Sequence, residues 1–388
     1  MRVFLIIMDG VGIGALPDAA DYGDAGSHTL RHVGEATGGL RVPTLERLGL
    51  GRIDDLPGVR ALMDPRGAYG RMAERSKGKD STTGHWEMAG VVLDRAFPTY
   101  PHGFPLPLLE RFAEQIGRGW IGNVAASGTE IIARLGEEHQ RTGKLIVYTS
   151  ADSVFQIAAH EQTVPLEELY EACRRARTLL AGQHAVGRVI ARPFEGSPGA
   201  YKRTGNRRDF SLEPPAPTLL DRMVERGLPV ITVGKVNELF AGRGVTEAFH
   251  TSNNAEGETV LCDLVRSGGE GLVFANLVDF DQLYGHRNDP AGFGRALEQF
   301  DGRAAELIGH LRSDEMCLIT ADHGNDPTTG STDHAREYVP LLVTGPRVRA
   351  GVDLGTRETF ADIAATLAEV FGVTRPAAGT SFLREVRA

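Results

Sequence analysis

Four short apolar runs, each ended by Asp, Ser or His, constrain the fold of this 388-residue chain more than any other feature. They are "VFLIIMDG" (3–10), "KLIVYTSADS" (144–153), "LVFANLVDFD" (272–281) and "EMCLITADHG" (315–324). An unbroken run rich in Val, Ile and Leu suits a strand buried on both faces, the condition of a parallel sheet. Between the runs, segments 108–118, 165–182 and 295–314 carry apolar residues at spacings of three and four, the mark of an amphipathic helix. Alternating strand and helix signals predict an α/β fold with a doubly wound, mostly parallel sheet. Ligand-binding residues of such sheets gather at the carboxyl ends of the strands. Asp9, Asp279 with Asp281, and Asp322 are therefore expected along one edge.

The length suggests about two domains. "AFPTYPHGFPLP" (96–107) is rich in Pro and aromatic residues and reads as a crossing between them. Segment 192–218 is Gly/Pro-rich and basic, with Lys202, Arg203, Arg207 and Arg208 close together. The expected organisation is a core from 1–96 and 216–388, interrupted by a smaller inserted domain at 97–215. No internal repeat or low-complexity tract is present.

With 41% hydrophobic and 24% charged residues, the composition is that of a soluble globular protein. A formal net charge of −9 argues against nucleic acid or an anionic membrane as partner. It leaves a small anionic substrate open, because a metal or a local basic patch overrides net charge. The early run "VFLIIM" is too short for a membrane span or a signal peptide. Cys173, Cys262 and Cys317 are far apart and form no C-x-x-C pair, which fits a reducing compartment. A cytoplasmic protein is expected.

"VDFDQLYGH" places Asp281 and His286 five residues apart, and "TADHGNDPTTGSTDH" supplies Asp322, His323 and His334. With Asp9, these make three Asp and three His at or beyond the ends of apolar runs. Mixed carboxylate and imidazole ligands suit divalent Mn or Zn, and two neighbouring ions clamp a phosphoryl group in transfer. Taken singly, each Asp reads equally well as a turn former or helix cap; the joint pattern points to metal. Asp279 lies two residues from Asp281, on the opposite face if the strand continues, and is given no ligand role. "KDSTTGHWE" (79–87) puts three hydroxyls in a row, Ser81, Thr82 and Thr83, which serve either as a helix cap or as a nucleophile. His85 and Trp86, which follow, either shape a pocket or simply pack.

Several longer motifs carry a resemblance. "MDGVGIG", "GKDSTTGHWEMAG", "YTSADSVFQIAAHE", "GRVIARPFEG", "NLVDFDQLYGHRNDP", "LITADHGNDP" and "TDHAREYVPLL", with "GTSFL" at 379–383, span almost the whole chain. Together they resemble the bacterial phosphopentomutases of the alkaline phosphatase superfamily. The resemblance implies an alkaline-phosphatase-like core with an inserted α/β cap domain. It also implies an isomerase interconverting ribose (or deoxyribose) 1-phosphate and 5-phosphate, through a phosphorylated Ser or Thr and a pentose bisphosphate.

In that family the nucleophile is usually a Thr directly after "GKD". Here that position is Ser81, with Thr82 and Thr83 as neighbouring alternatives. By the same analogy Asp9, Ser81, Asp322 and His323 surround one ion, and Asp281, His286 and His334 hold the other. Mn is expected at both, with Mg, Co or Zn as alternatives. Arg192 and Arg207 would grip the distal phosphate, Asp152 the sugar hydroxyls, and Lys235 a phosphate from the core side. The inserted domain would act as a lid that excludes water. A sugar bisphosphate such as glucose 1,6-bisphosphate would prime the enzyme, and a monomer is expected. The competing readings are a phosphohydrolase or phosphoglycerate mutase with the same metal core, and a metal- or phosphate-binding protein without turnover.

Overall fold

A computed structural model describes residues 1–150 and 153–388. From the N terminus its strands are β1 (Arg2–Met8), β2 (Ala68–Met72), β3 (Trp120–Ala125), β4 (Leu145–Thr149) and β5 (Val154–His160). Next come β6 (Arg188–Glu195), β7 (Lys202–Arg203), β8 (Arg208–Ser211), β9 (Val230–Val233) and β10 (Glu247–Phe249). The last four are β11 (Gly271–Leu277), β12 (Glu315–Thr320), β13 (Val339–Thr344) and β14 (Asp353–Arg357). The chain separates into two compact units, one from Met1–Ala96 with Pro214–Ala388, the other from Phe97–Glu213.

The first unit is built on an eight-stranded sheet in the order β10-β9-β11-β1-β12-β13-β2-β14. Neighbours are parallel except where β13 meets β12 and β2, so a single strand is reversed. Every residue of β1, β11 and β12 is buried, as apolar runs covered on both faces require. β1 lies between β11 and β12, with Met8 level with Leu277 and Ile7 level with Thr320. This register brings three strand ends side by side and lines up the segments that follow them.

The second unit has a six-stranded mixed sheet in the order β3-β4-β5-β6-β7, with β8 also paired to β6. On one side Leu109, Phe112, Phe155, Ile157 and Cys173 form its core; on the other Ile131, Ile132, Ile146 and Tyr148 do. The run at 144–153 belongs to this sheet, with β4 ending at Thr149. The basic Gly/Pro-rich stretch contributes β7 and β8 rather than only loop.

One expectation about local geometry is corrected. β11 ends at Leu277, and Asp281 sits in a π-helical turn, Phe280–Tyr284. The alternation of strand faces therefore does not separate Asp279 from Asp281. Asp279 is instead occupied as a helix-start acceptor, taking the Asn254 N–H at 2.8 Å. Among the described residues no helix is long and apolar enough to cross a membrane.

Candidate metal and phosphoryl-transfer site

Three strand ends deliver the carboxylates. Asp9 follows β1, Asp281 lies in the turn after β11, and Asp322 with His323 follows β12. The backbone fixes this junction, since Asp9 N–H donates to the Leu277 carbonyl at 3.2 Å. Gly10 N–H donates to Asp322 Oδ1, also at 3.2 Å, with Gly10 at φ +77°, a conformation that favours glycine. Asp9, Asp281, Asp322 and His323 are all at most 4% exposed.

The hydroxyl run resolves by position. The helix Ser81–Met88 is capped by Asp80, whose Oδ1 accepts the Thr83 N–H at 3.1 Å. Capping is thus done by the carboxylate before the run, not by its hydroxyls. Thr83 Oγ1 is tied back to Asp80 Oδ2 at 2.5 Å and is fully buried. Ser81 Oγ points elsewhere, lying 3.2 Å from His323 Nε2. The helix approaches the ligand loop closely at Gly84, where a Cβ would stand 2.3 Å from the Asp322 carbonyl oxygen.

Two constellations have metal-ligand spacing: Asp281, His286 and His334, and Asp9, Asp281 and His323. In each, one ligand atom per residue lies within 4.8 Å of the others. Asp281 belongs to both. His286 Nε2 is 3.1 Å from Asp281 Oδ2, and His334 Nε2 is 3.4 Å from Asp281 Oδ1. His323 Nε2 is 3.4 Å from Asp9 Oδ1 and 3.5 Å from Asp322 Oδ2. The Nδ1 atoms of His286 and His323 face the carbonyls of Thr332 (2.6 Å) and Gly324 (3.0 Å). A carbonyl only accepts, so both rings carry a proton at Nδ1 and turn Nε2 toward carboxylates. That arrangement calls for a cation between them.

The electrostatics agree. Burial, then the charges of Asp322 and Asp281, push the Asp9 carboxyl well above its usual range. Burial also disfavours the charged form of Asp281, but His334 and His286 outweigh it and hold that carboxyl well below. Burial works to lower His334, yet Asp281 overrides it and the imidazole is pushed up to about 10. Protein groups alone thus neutralise the pocket only by protonating it. Asp9 Oδ1 and Asp322 Oδ2 are buried without a hydrogen-bond partner. Two orphaned carboxylate oxygens beside an imidazole lone pair fit a divalent ion.

Sequence reasoning missed the residues that hold these ligands. Asn276 Nδ2 donates to Asp9 Oδ2 at 3.1 Å, and Asn325 Nδ2 to Asp281 Oδ1 at 2.6 Å. An Asn inside the apolar run "LVFANL" was the available signal, because a buried amide needs partners. Lys79 also went unremarked. Its Nζ lies 3.0 Å from Asp24 and 3.1 Å from Asp333, joining the loop before Ser81 to that of His334. Arg336 strengthens the same tie, donating to Glu74 Oε2 (2.7 Å) and to the carbonyls of Ser76 (2.9 Å) and Gly78 (2.7 Å).

The expected substrate residues are divided between the two units, as the sequence places them. Lys235 follows β9 in the first unit, where its charge eases the ionisation of Asp9. Arg192 and Arg207 belong to the second unit. Arg192 Nε donates to Gln156 Oε1 at 3.0 Å, and Arg207 is forked onto Asp209 by two bonds of 2.7 Å. Asp152 lies outside the described residues.

The Metalloenzyme superfamily model matches residues 1–375. A phosphopentomutase of Caldanaerobacter subterraneus subsp. tengcongensis is 57% identical over 385 residues, 99% of this chain and 98% of that protein. A phosphopentomutase of Acetivibrio thermocellus is 55% identical over 99% of each chain. Among solved structures, a Leishmania mexicana phosphoglycerate mutase overlaps 98% of this chain and 96% of its own at TM-score 0.50, with 13% identity.

Proposed function

Because this chain belongs to the phosphopentomutases, within the metalloenzyme superfamily and on an alkaline-phosphatase-like fold, we propose that it moves a phosphoryl group between the 1- and 5-positions of ribose and deoxyribose, using Ser81 as the covalent carrier. The observation that carries this reading is the isolation of Ser81 Oγ against His323 while Asp80 takes over the capping.

In the cycle, phospho-Ser81 gives its phosphoryl group to the free hydroxyl of a pentose phosphate. A pentose 1,5-bisphosphate forms and reorients. Ser81 Oγ then attacks the other phosphorus, the sugar oxygen leaves, and the phosphoseryl group is regenerated. Ser81 stands at the N-terminal end of the helix Ser81–Met88, a position that would favour negative charge on the transferring phosphoryl. Asp9, Ser81, Asp322 and His323 would hold one divalent ion, and Asp281, His286 and His334 the other. When bound, the pair would stabilise the serine alkoxide and the charge on the phosphoryl oxygens. Lys235 offers an ammonium on the core side.

In the unit Phe97–Glu213, Arg192, which bonds Gln156 through Nε, would offer its terminal guanidinium nitrogens to a distal phosphate. Arg207 would exchange one of its Asp209 bonds for it, a substitution guanidinium geometry allows. The reading takes Mn2+ as the ion, a sugar bisphosphate such as glucose 1,6-bisphosphate as primer, and a cytoplasmic monomer.

The test supplies ribose 1-phosphate, Mn2+ and a trace of glucose 1,6-bisphosphate, and measures ribose 5-phosphate and free phosphate together. Ribose 5-phosphate with little free phosphate is expected. Free phosphate and ribose in equal amounts would make the protein a phosphohydrolase.

A further inference from the structure

The imidazole of His85 takes no part in the reaction just described, yet it lies at the centre of the groups that do. It is fully buried, and its ring stacks on Phe274 with centroids 5.4 Å apart and planes 19° apart. Its Nδ1 is 2.8 Å from the carbonyl of Ser81 and 3.3 Å from Asp322 Oδ2. Both are acceptors, so Nδ1 carries the proton. Nε2 is then an acceptor and lies 3.4 Å from Asn276 Nδ2. The same amide nitrogen donates to Asp9 Oδ2 at 3.1 Å. Its two hydrogens suffice for both partners.

We propose that His85 is a positioning residue: one imidazole, with its proton on Nδ1, holds the Ser81 carbonyl, stands against Asp322 and, through Asn276, reaches Asp9. Three of the four groups assigned to one ion are thereby oriented by a single ring. In the other set Asp281 has a separate support in Asn325, and His286 in the Thr332 carbonyl. His85 therefore sets the affinity of one ion and not the other. A carboxylate with one oxygen fixed by a donor presents the second in a defined direction, and Asp9 Oδ1 is that free oxygen. The inference rests on the two-ion reading above.

Calorimetric titration of the full chain with Mn2+ tests it. The wild type is expected to take two ions. His85→Phe keeps the ring volume and the stack on Phe274 but removes both ring nitrogens and their contacts. Its affinity should fall about 10–100-fold at one site and stay unchanged at the other. His85→Asn restores a donor near the Nδ1 position and should recover part of the loss. Asn276→Leu should weaken the same site, and the double variant should be no worse than the weaker single. With Mn2+ saturating, KM for ribose 1-phosphate should match that of the wild type.

Wild-type affinity at both sites in His85→Phe and Asn276→Leu would overturn the proposal. Equal weakening of both sites with a lowered melting temperature would also overturn it, since that marks general loosening. If His85→Phe does not fold, Asn276→Leu decides alone. A wild-type chain that binds fewer than two ions would overturn the two-ion reading, and this inference with it.

Discussion

Ser81, Thr82 and Thr83 differ little in chemistry and greatly in surroundings. Thr83 is tied to Asp80 and buried, whereas Ser81 begins the helix with its oxygen against His323. Ser81→Ala is expected to reduce mutase activity to background and abolish the phosphorylated species seen by intact mass. Two Mn2+ should still bind, because carboxylates and imidazoles remain. A fully active Ser81→Ala enzyme would move the nucleophile to a neighbour. The proposed metal ligands were legible through their joint pattern, Asp and His repeatedly closing apolar runs, rather than singly. The supports were not. Asn276, Asn325 and His85 act through contacts 44 to 267 positions apart in the chain, or through tautomer choice, and neither leaves a local pattern.

At the scale of elements, the buried strands read clearly because parallel strands covered on both faces are apolar throughout. The short β2 and β14 did not, since "AYGRM" and "DLGTR" carry no such run. The end of β11 did not read clearly either, because "VDF" extends the apolar run past the point where the strand stops.

Two predictions belong here. Arg336 and Glu74 form a buried pair between the His334 loop and the segment before Ser81, each side chain 2% exposed. Arg336→Met strands the Glu74 charge and should cost about 3–5 kcal/mol of unfolding free energy by denaturant titration.

The second concerns Glu258 on the helix Asn254–Ser267. Burial pushes it up to about 7 from an ordinary 4.5, and Arg303 only partly opposes this. Below pH 4.5 the carboxyl is protonated in both folded and unfolded chains, so it has no effect there. Between 4.5 and about 7 the unfolded chain ionises first, so stability falls as pH rises, then levels. The melting temperature of Glu258→Gln should therefore gain on the wild type across that window and hold its lead above it. A difference independent of pH would count against a raised Glu258.

For the whole molecule, the two units differ in what they must do. The first carries every proposed metal ligand; the second has its own sheet and core around Phe155, which contacts Phe104 and Phe112. Phe155→Ala should cost about 3–5 kcal/mol, read as a lowered melting temperature, and leave Mn2+ affinity untouched. A weakened metal site in that variant would show that the second unit's packing reaches the ligands.

Gly84 has a consequence of another kind. Its φ is not in the left-handed region, so the backbone itself would tolerate any residue. The missing Cβ is what lets the helix of Ser81 rest on the Asp322 carbonyl. Position 84 is therefore a fixed gauge in the design of the enzyme. Neighbouring positions can drift through sequence space, but a library randomised here and selected for activity would return one letter. Even alanine, the smallest possible addition, would push the helix of Ser81 off the Asp322 carbonyl.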